Sequence, residues 1–130
     1  QAIHALREAE SFNGPSLILA YAPCIAHGFA LQNGVEHQIQ MVQTGAWPLY
    51  RFDPRLIGEG HYPLTMDSNT DDVLPLEEFV KTESRFGAAR SVNTNFDNLI
   101  ARAKENNKYR TELKKHIAHF VMNKQGGDKK

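Results

Sequence analysis

"LILAYAPCIAHG", residues 17–28, decides how this chain is read. Every position from Leu17 to Ala20 is apolar. A strand with one wet face would alternate apolar and polar residues, whereas continuous apolarity suits a strand covered on both faces, as in a parallel α/β sheet. Ahead of it, Ile3, Leu6 and Ala9 recur at helical spacing, and Asn13-Gly14-Pro15 stops that helix because Gly and Pro break helical pairing. Helix, tight turn and buried strand make half of a βαβ unit, so the expected class is α/β with a parallel sheet. "PCIAHG" then falls at the carboxyl end of the strand, the edge where open α/β sheets hold ligands.

Cys24 is the only cysteine. A lone thiol excludes an internal disulfide and a self-contained thiolate metal site, and it fits a reducing compartment. Three readings of it are open. It is a small buried hydrophobe; or a nucleophile with His27 at i+3 as its base, although no third group orients that pair; or a metal or iron-sulfur ligand whose partners lie elsewhere. A [4Fe-4S] cluster takes four thiolates, and a distant fourth ligand often completes a local group of three.

Outward from this stretch, 130 residues and 41% hydrophobic content suit one domain with a packed core. The longest apolar run, Leu17 to Ala22, is far short of the roughly 20 residues that cross a bilayer, so no membrane association is expected. The formal charge is zero, but it is unevenly spread: six Lys and Arg against twelve Asp and Glu up to Ala101, then nine against three from Arg102 onward. The basic part carries only Tyr109 and Phe120 as aromatics and no Arg-rich cluster. A solvated helix against an acidic body is expected there, not a nucleic-acid tail. The uncapped start "QAIHALREAE" and the polar end "NKQGGDKK" lead us to expect a C-terminal piece of a longer polypeptide.

"LQNGVEHQIQMVQTGAW" places Val35, Ile39, Val42 and Ala46 on one helical face, with Gly45 as a stop. "WPLYRFDP" is a short aromatic run in which Trp47, Tyr50 and Phe52 beside Arg51 are expected to seal a core edge rather than stack bases. From Arg55 to Pro75 the chain is rich in turn formers, and "LPLEEFV" gives a brief helical turn. Asn93 to Asn95 can cap a helix with Phe96, Leu99, Ile100 and Ala103 on its apolar stripe, continued by Leu113, Ile117, Phe120 and Val121. Of the histidines at 4, 27, 37, 61, 116 and 119, only His116 and His119 share a helical face, with Glu112 near them, and all six are expected on the surface. The adjacent carboxylates Asp71-Asp72 and Glu77-Glu78 point apart and are expected in solvent. No glycine-rich phosphate loop is present, and Gly28 is expected either to close a turn or to let backbone approach a cofactor.

Taken together, "ALREAESFNGPSLILAYAPCIAHGF", "GAWPLYRFDPRL" and "MDSNTDDVLPLEEFVKTESRF" resemble the C-terminal end of pyruvate:ferredoxin (flavodoxin) oxidoreductases and their NADP-linked relative. The resemblance runs in order from about Ala5 to Phe86 and is looser over the last forty residues. It implies that residues 1–54 end a thiamine-diphosphate-binding, parallel-sheet α/β domain; the residue pattern itself leads us to expect an extended surface crossing with a short helical turn over 55–92 and a helical C-terminal arm over 93–130. The resemblance also implies a role for Cys24, as the distant fourth ligand of the [4Fe-4S] cluster nearest the thiamine. Thiamine diphosphate, its Mg2+, the pyruvate-binding residues and the other three cysteines would belong to the rest of the enzyme. The implied activity is oxidative decarboxylation of pyruvate to acetyl-CoA and CO2, with electrons leaving through clusters to ferredoxin or flavodoxin. This segment alone is expected to be inactive. The implied partners are the remainder of the enzyme, CoA and pyruvate, the electron carrier and a second copy in a homodimer, in the cytoplasm or an anaerobic organelle.

Overall fold

The structure, a computed structural model, describes residues 1–69 and 74–119. Asp71-Asp72, Phe120, Val121 and the polar tail lie outside the described residues. The chain runs as α1 (Ala2–Ser11), a 3-10 turn (Ile25–His27), a second one (Leu31–Asn33), α2 (Gly34–Gln43), β1 (Tyr50–Phe52), α3 (Arg55–Gly58), β2 (Leu64–Met66), α4 (Leu76–Lys81), α5 (Ser84–Val92) and α6 (Phe96–Ala118). It is a small, mainly helical α/β unit.

The sheet among the described residues is antiparallel, not parallel: β1 pairs β2 with Tyr50 opposite Met66, Arg51 opposite Thr65 and Phe52 opposite Leu64. Nor does the apolar run form a strand. Residues 15–24 carry no helix or strand, and Leu17 is 83% and Leu19 68% exposed. The physical reason is pairing. An extended segment becomes a strand by giving its N–H and C=O groups to a neighbour, and the two described strands, of three residues each, are committed to one another.

The interior is correspondingly small. Leu64 from β2, Phe79 and Val80 from α4, and Phe96 and Ala118 from α6 are its buried apolar members. Two arginines do much of the joining. Arg51 grips the Asp67 carboxylate in a fork (Nε to Oδ2 2.8 Å, Nη2 to Oδ1 2.9 Å) and also pairs with Glu8, fixing α1 to the sheet. Arg55 holds Asp53 in the same way and donates to the Ser11 carbonyl at the end of α1. Bidentate pairs of this kind fix orientation as well as distance. On the other side Glu77 pairs with Lys104 of α6, while Glu78 pairs with Lys81, so these neighbouring carboxylates do point apart.

Helix α2 stops as its sequence requires, with Gly45 in the left-handed region at φ +69. Its buried side differs from the apolar stripe, however. Val35 is 73% exposed and Ile39 is half exposed, while His37 and Thr44 are buried. Trp47 packs against Tyr21, with ring centroids 5.7 Å apart, whereas Tyr50 and Phe52 stay exposed. The apolar residues Ile3 and Leu6 of α1 and Leu99, Leu113 and Ile117 of α6 also remain substantially exposed.

Candidate functional site

The Cys24 turn is built from backbone hydrogen bonds. Extended at φ −127, Cys24 caps the 3-10 turn, and its carbonyl accepts from His27 N–H at 3.0 Å; Gly28 N–H donates to the Ile25 carbonyl at 3.0 Å. Gly28 closes the turn at φ +77, in the left-handed region that side chains disfavour. The Ser84 N–H, at the start of α5, donates to the Gly28 carbonyl at 3.0 Å. A Cβ on Gly28 would sit 1.9 Å from Ser84 Oγ. The turn and α5 therefore touch at a point where only glycine fits. Pro23, just before the cysteine, packs toward the first residue of α2.

Cys24 itself is exposed and free, not packed in the core. The thiol makes no hydrogen bond to His27, the pairing considered for a nucleophile. The imidazole of His27 turns instead toward Glu83.

That turn reveals a site the sequence did not announce. Glu83, at the α4–α5 junction, is 1% exposed, and His37 on α2 is 3% exposed. His37 Nε2 donates to Glu83 Oε1 at 2.6 Å, and His27 Nδ1 lies 3.8 Å from the same oxygen. Arg85 Nε donates to the other oxygen, Oε2, at 2.5 Å. Aromatic rings wall the group. His37 stacks on Phe29 at 4.0 Å with the planes 9° apart and tilts against Phe79 at 4.9 Å, and Tyr21 stacks 6.4 Å from both imidazoles. Burial, and then the Glu83 charge, push the Tyr21 hydroxyl above its ordinary range, with Arg85 opposing.

Two of the six histidines expected on the surface are thus placed inside or at the edge of the interior, while His4, His61, His116 and His119 are exposed. The correction has a physical cause. A histidine is intermediate in burial preference, and a buried carboxylate with a stacking ring supplies what it needs to go in. Glu83 stands 46 residues from His37, in a polar stretch with no helical stripe, and no local pattern links the two.

No protein-family model matches the chain. Comparison with curated proteins finds relatives. A pyruvate-flavodoxin oxidoreductase of Rhodospirillum rubrum is 38% identical over 127 residues, 97% of this chain and 10% of the relative. A pyruvate:ferredoxin oxidoreductase of Moorella thermoacetica is 37% identical over 119 residues, 91% of this chain and 10% of the relative. The mitochondrial pyruvate dehydrogenase [NADP(+)] of Euglena gracilis is 40% identical over 126 residues, 87% of this chain and 7% of the relative. The chain spans about a tenth or less of the length of these proteins.

Proposed function

We propose that this chain, homologous to one segment of the pyruvate-flavodoxin and pyruvate:ferredoxin oxidoreductases, is the C-terminal part of such an enzyme and supplies Cys24 as one of four thiolate ligands to a [4Fe-4S] cluster. The enzyme would oxidatively decarboxylate pyruvate to acetyl-CoA and CO2 and pass the electrons to ferredoxin or flavodoxin. Residues 1–54 would close its thiamine-diphosphate domain, 55–92 would cross its surface, and 93–130 would form the arm. Thiamine diphosphate and Mg2+ would be held by residues outside this segment. A homodimer in the cytoplasm, or in an anaerobic organelle, completes the proposal. No helix among the described residues is long and apolar enough to cross a membrane.

The observation that carries the reading is the Cys24 turn. One thiol cannot hold a four-iron cluster, but a fixed, exposed thiol suits the role of a single contributed ligand. When bound, such a cluster takes up and releases electrons singly. The chain's own contribution is geometric: the hydrogen bonds at His27, Gly28 and Ser84 set where the Cys24 backbone stands, so that only the side-chain rotamer would be left to set at the moment of ligation. The exposed run Leu17 to Leu19 adds support. Exposed apolar residues outside any helix or strand are what a central strand presents when its sheet neighbours belong to another part of the protein.

The test is Cys24→Ser in the complete enzyme. Loss of the thiamine-proximal cluster signal in EPR, together with loss of about four irons per protomer, is expected. Retained signal and retained acetyl-CoA formation would refute the assignment.

A further inference from the structure

The buried group behind the turn carries an inference that does not depend on Cys24. A ring nitrogen of His27, a ring nitrogen of His37 and a Glu83 oxygen come from three separate parts of the chain, yet all lie within 4.8 Å of one another. Ordinary hydrogen bonding does not account for all of them. His27 Nδ1 is buried with no hydrogen-bond partner, and at 3.8 Å from Glu83 Oε1 it is beyond hydrogen-bond reach. Two further polar atoms of the same group, the Tyr21 hydroxyl and His37 Nδ1, are also buried without a hydrogen-bond partner.

We propose that His27, His37 and Glu83 form a binding site for a divalent transition-metal ion of the zinc type. Two imidazoles and one carboxylate are a donor set that zinc accepts, with ligand bonds of about 2.0–2.2 Å and a fourth position left for water. Two ligands at those lengths stand roughly 3.3 Å apart around a tetrahedral ion. The His27–Glu83 separation is about half an ångström longer than that. The His37–Glu83 separation, 2.6 Å, is shorter because a proton holds the pair together. The ion takes the Nε2 lone pair of the His37 tautomer that carries its proton on Nδ1, so the Nε2–H to Oε1 hydrogen bond is given up, opening one gap while the other closes. Arg85 engages only Oε2, leaving Oε1 to the ion and fixing the carboxylate plane, as outer partners of metal ligands commonly do. The filled site would tie the 25–27 turn, α2 and the α4–α5 junction at one point.

The full 130-residue chain, titrated with Zn2+ in competition with a chromophoric chelator, should bind one ion tightly. Glu83→Gln and His37→Gln should each weaken that binding at least tenfold, and the double variant His116→Gln/His119→Gln should leave it unchanged. Because Glu83 is buried and its variant could unfold, the unmodified chain loaded with Co2+ gives an independent answer. The expected absorption is that of a four-coordinate nitrogen and oxygen site without a thiolate charge-transfer band. Absence of stoichiometric binding by a chain with intact helical circular dichroism would overturn the proposal. So would unchanged affinity in a folded Glu83→Gln variant, or a cobalt spectrum showing octahedral or thiolate coordination.

Discussion

Gly28→Ala is the sharpest single test of how the Cys24 turn is held. Two separable costs follow from the structure. The residue sits at φ +77, and moving an L-residue into the left-handed region costs about 1–2 kcal/mol. The added Cβ would also stand 1.9 Å from Ser84 Oγ, 3.1 Å from Ser84 Cβ and 3.3 Å from Ser84 N. Relieving that clash strains or breaks the Ser84 N–H to Gly28 carbonyl bond, worth about 0.5–1.5 kcal/mol. The expected total is about 2–3 kcal/mol, read as a lower midpoint in urea denaturation with an unchanged slope. Ser84→Ala removes the closest atom but leaves the backbone conformation. In the Gly28→Ala background it should therefore restore roughly 1 kcal/mol and leave the rest, a coupling that a double-mutant cycle isolates. If Gly28→Ala lies within about 0.5 kcal/mol of the parent chain, or the second substitution restores nothing, the contact described here does not constrain the turn.

Two further outcomes are expected. The Asp67 carboxyl is held below the usual carboxylate range, first by its hydrogen bonds from Arg51. Its contribution is therefore fully present above the unfolded value near 3.9 and is lost as pH falls through the lower folded value. Asp67→Asn should lower stability at pH 7 by about 1–2 kcal/mol and flatten the acid limb below pH ~4; an acid limb as steep as the parent's would show that this pair does not govern it. Leu17→Ser with Leu19→Ser should change the stability of the chain itself by no more than about 0.5 kcal/mol, since both side chains are exposed. The same change in the complete enzyme should reduce the yield of folded, cluster-loaded protein, and full recovery would remove the apolar run as support for its being a central strand.

How much of this was legible in the sequence depended on the range of the interaction concerned. The αL stop of α2 at Gly45 and the turn closed by Gly28 are local matters of glycine chemistry, and both are found where the sequence puts them. The divergence of Glu77 and Glu78 is equally local, since side chains on adjacent helical residues point in different directions. Side-chain burial on α2 was not legible. Apolar spacing favoured Val35 and Ile39, but the helix faces inward with His37, because Glu83 and Phe29 await it there. Those partners come from distant or irregular stretches, and helical periodicity carries no information about them. The Leu17–Leu19 run failed differently. Its pattern specifies cover on both faces, and nothing among the described residues supplies that cover.

These two misreadings point in opposite directions, and together they describe how the segment is made. Behind Cys24, the polar residues His27, His37, Glu83 and Arg85 and the Gly28–Ser84 contact close on one another within the chain. Flanking it in sequence, Leu17, Leu19, Ile25, Leu31 and Val35 expose apolar surface that water does not reward. A buried ion pair is a weak source of net stability but a strong source of fixed geometry, because its alternatives leave unpaired charge. The chain thus spends its internal specificity on the position of one short turn and leaves the hydrophobic free energy to be gained against other surfaces. The proposed role of Cys24 as one ligand of a shared cluster would use that division: the backbone is fixed from within, and the sulfur stays open to what lies outside.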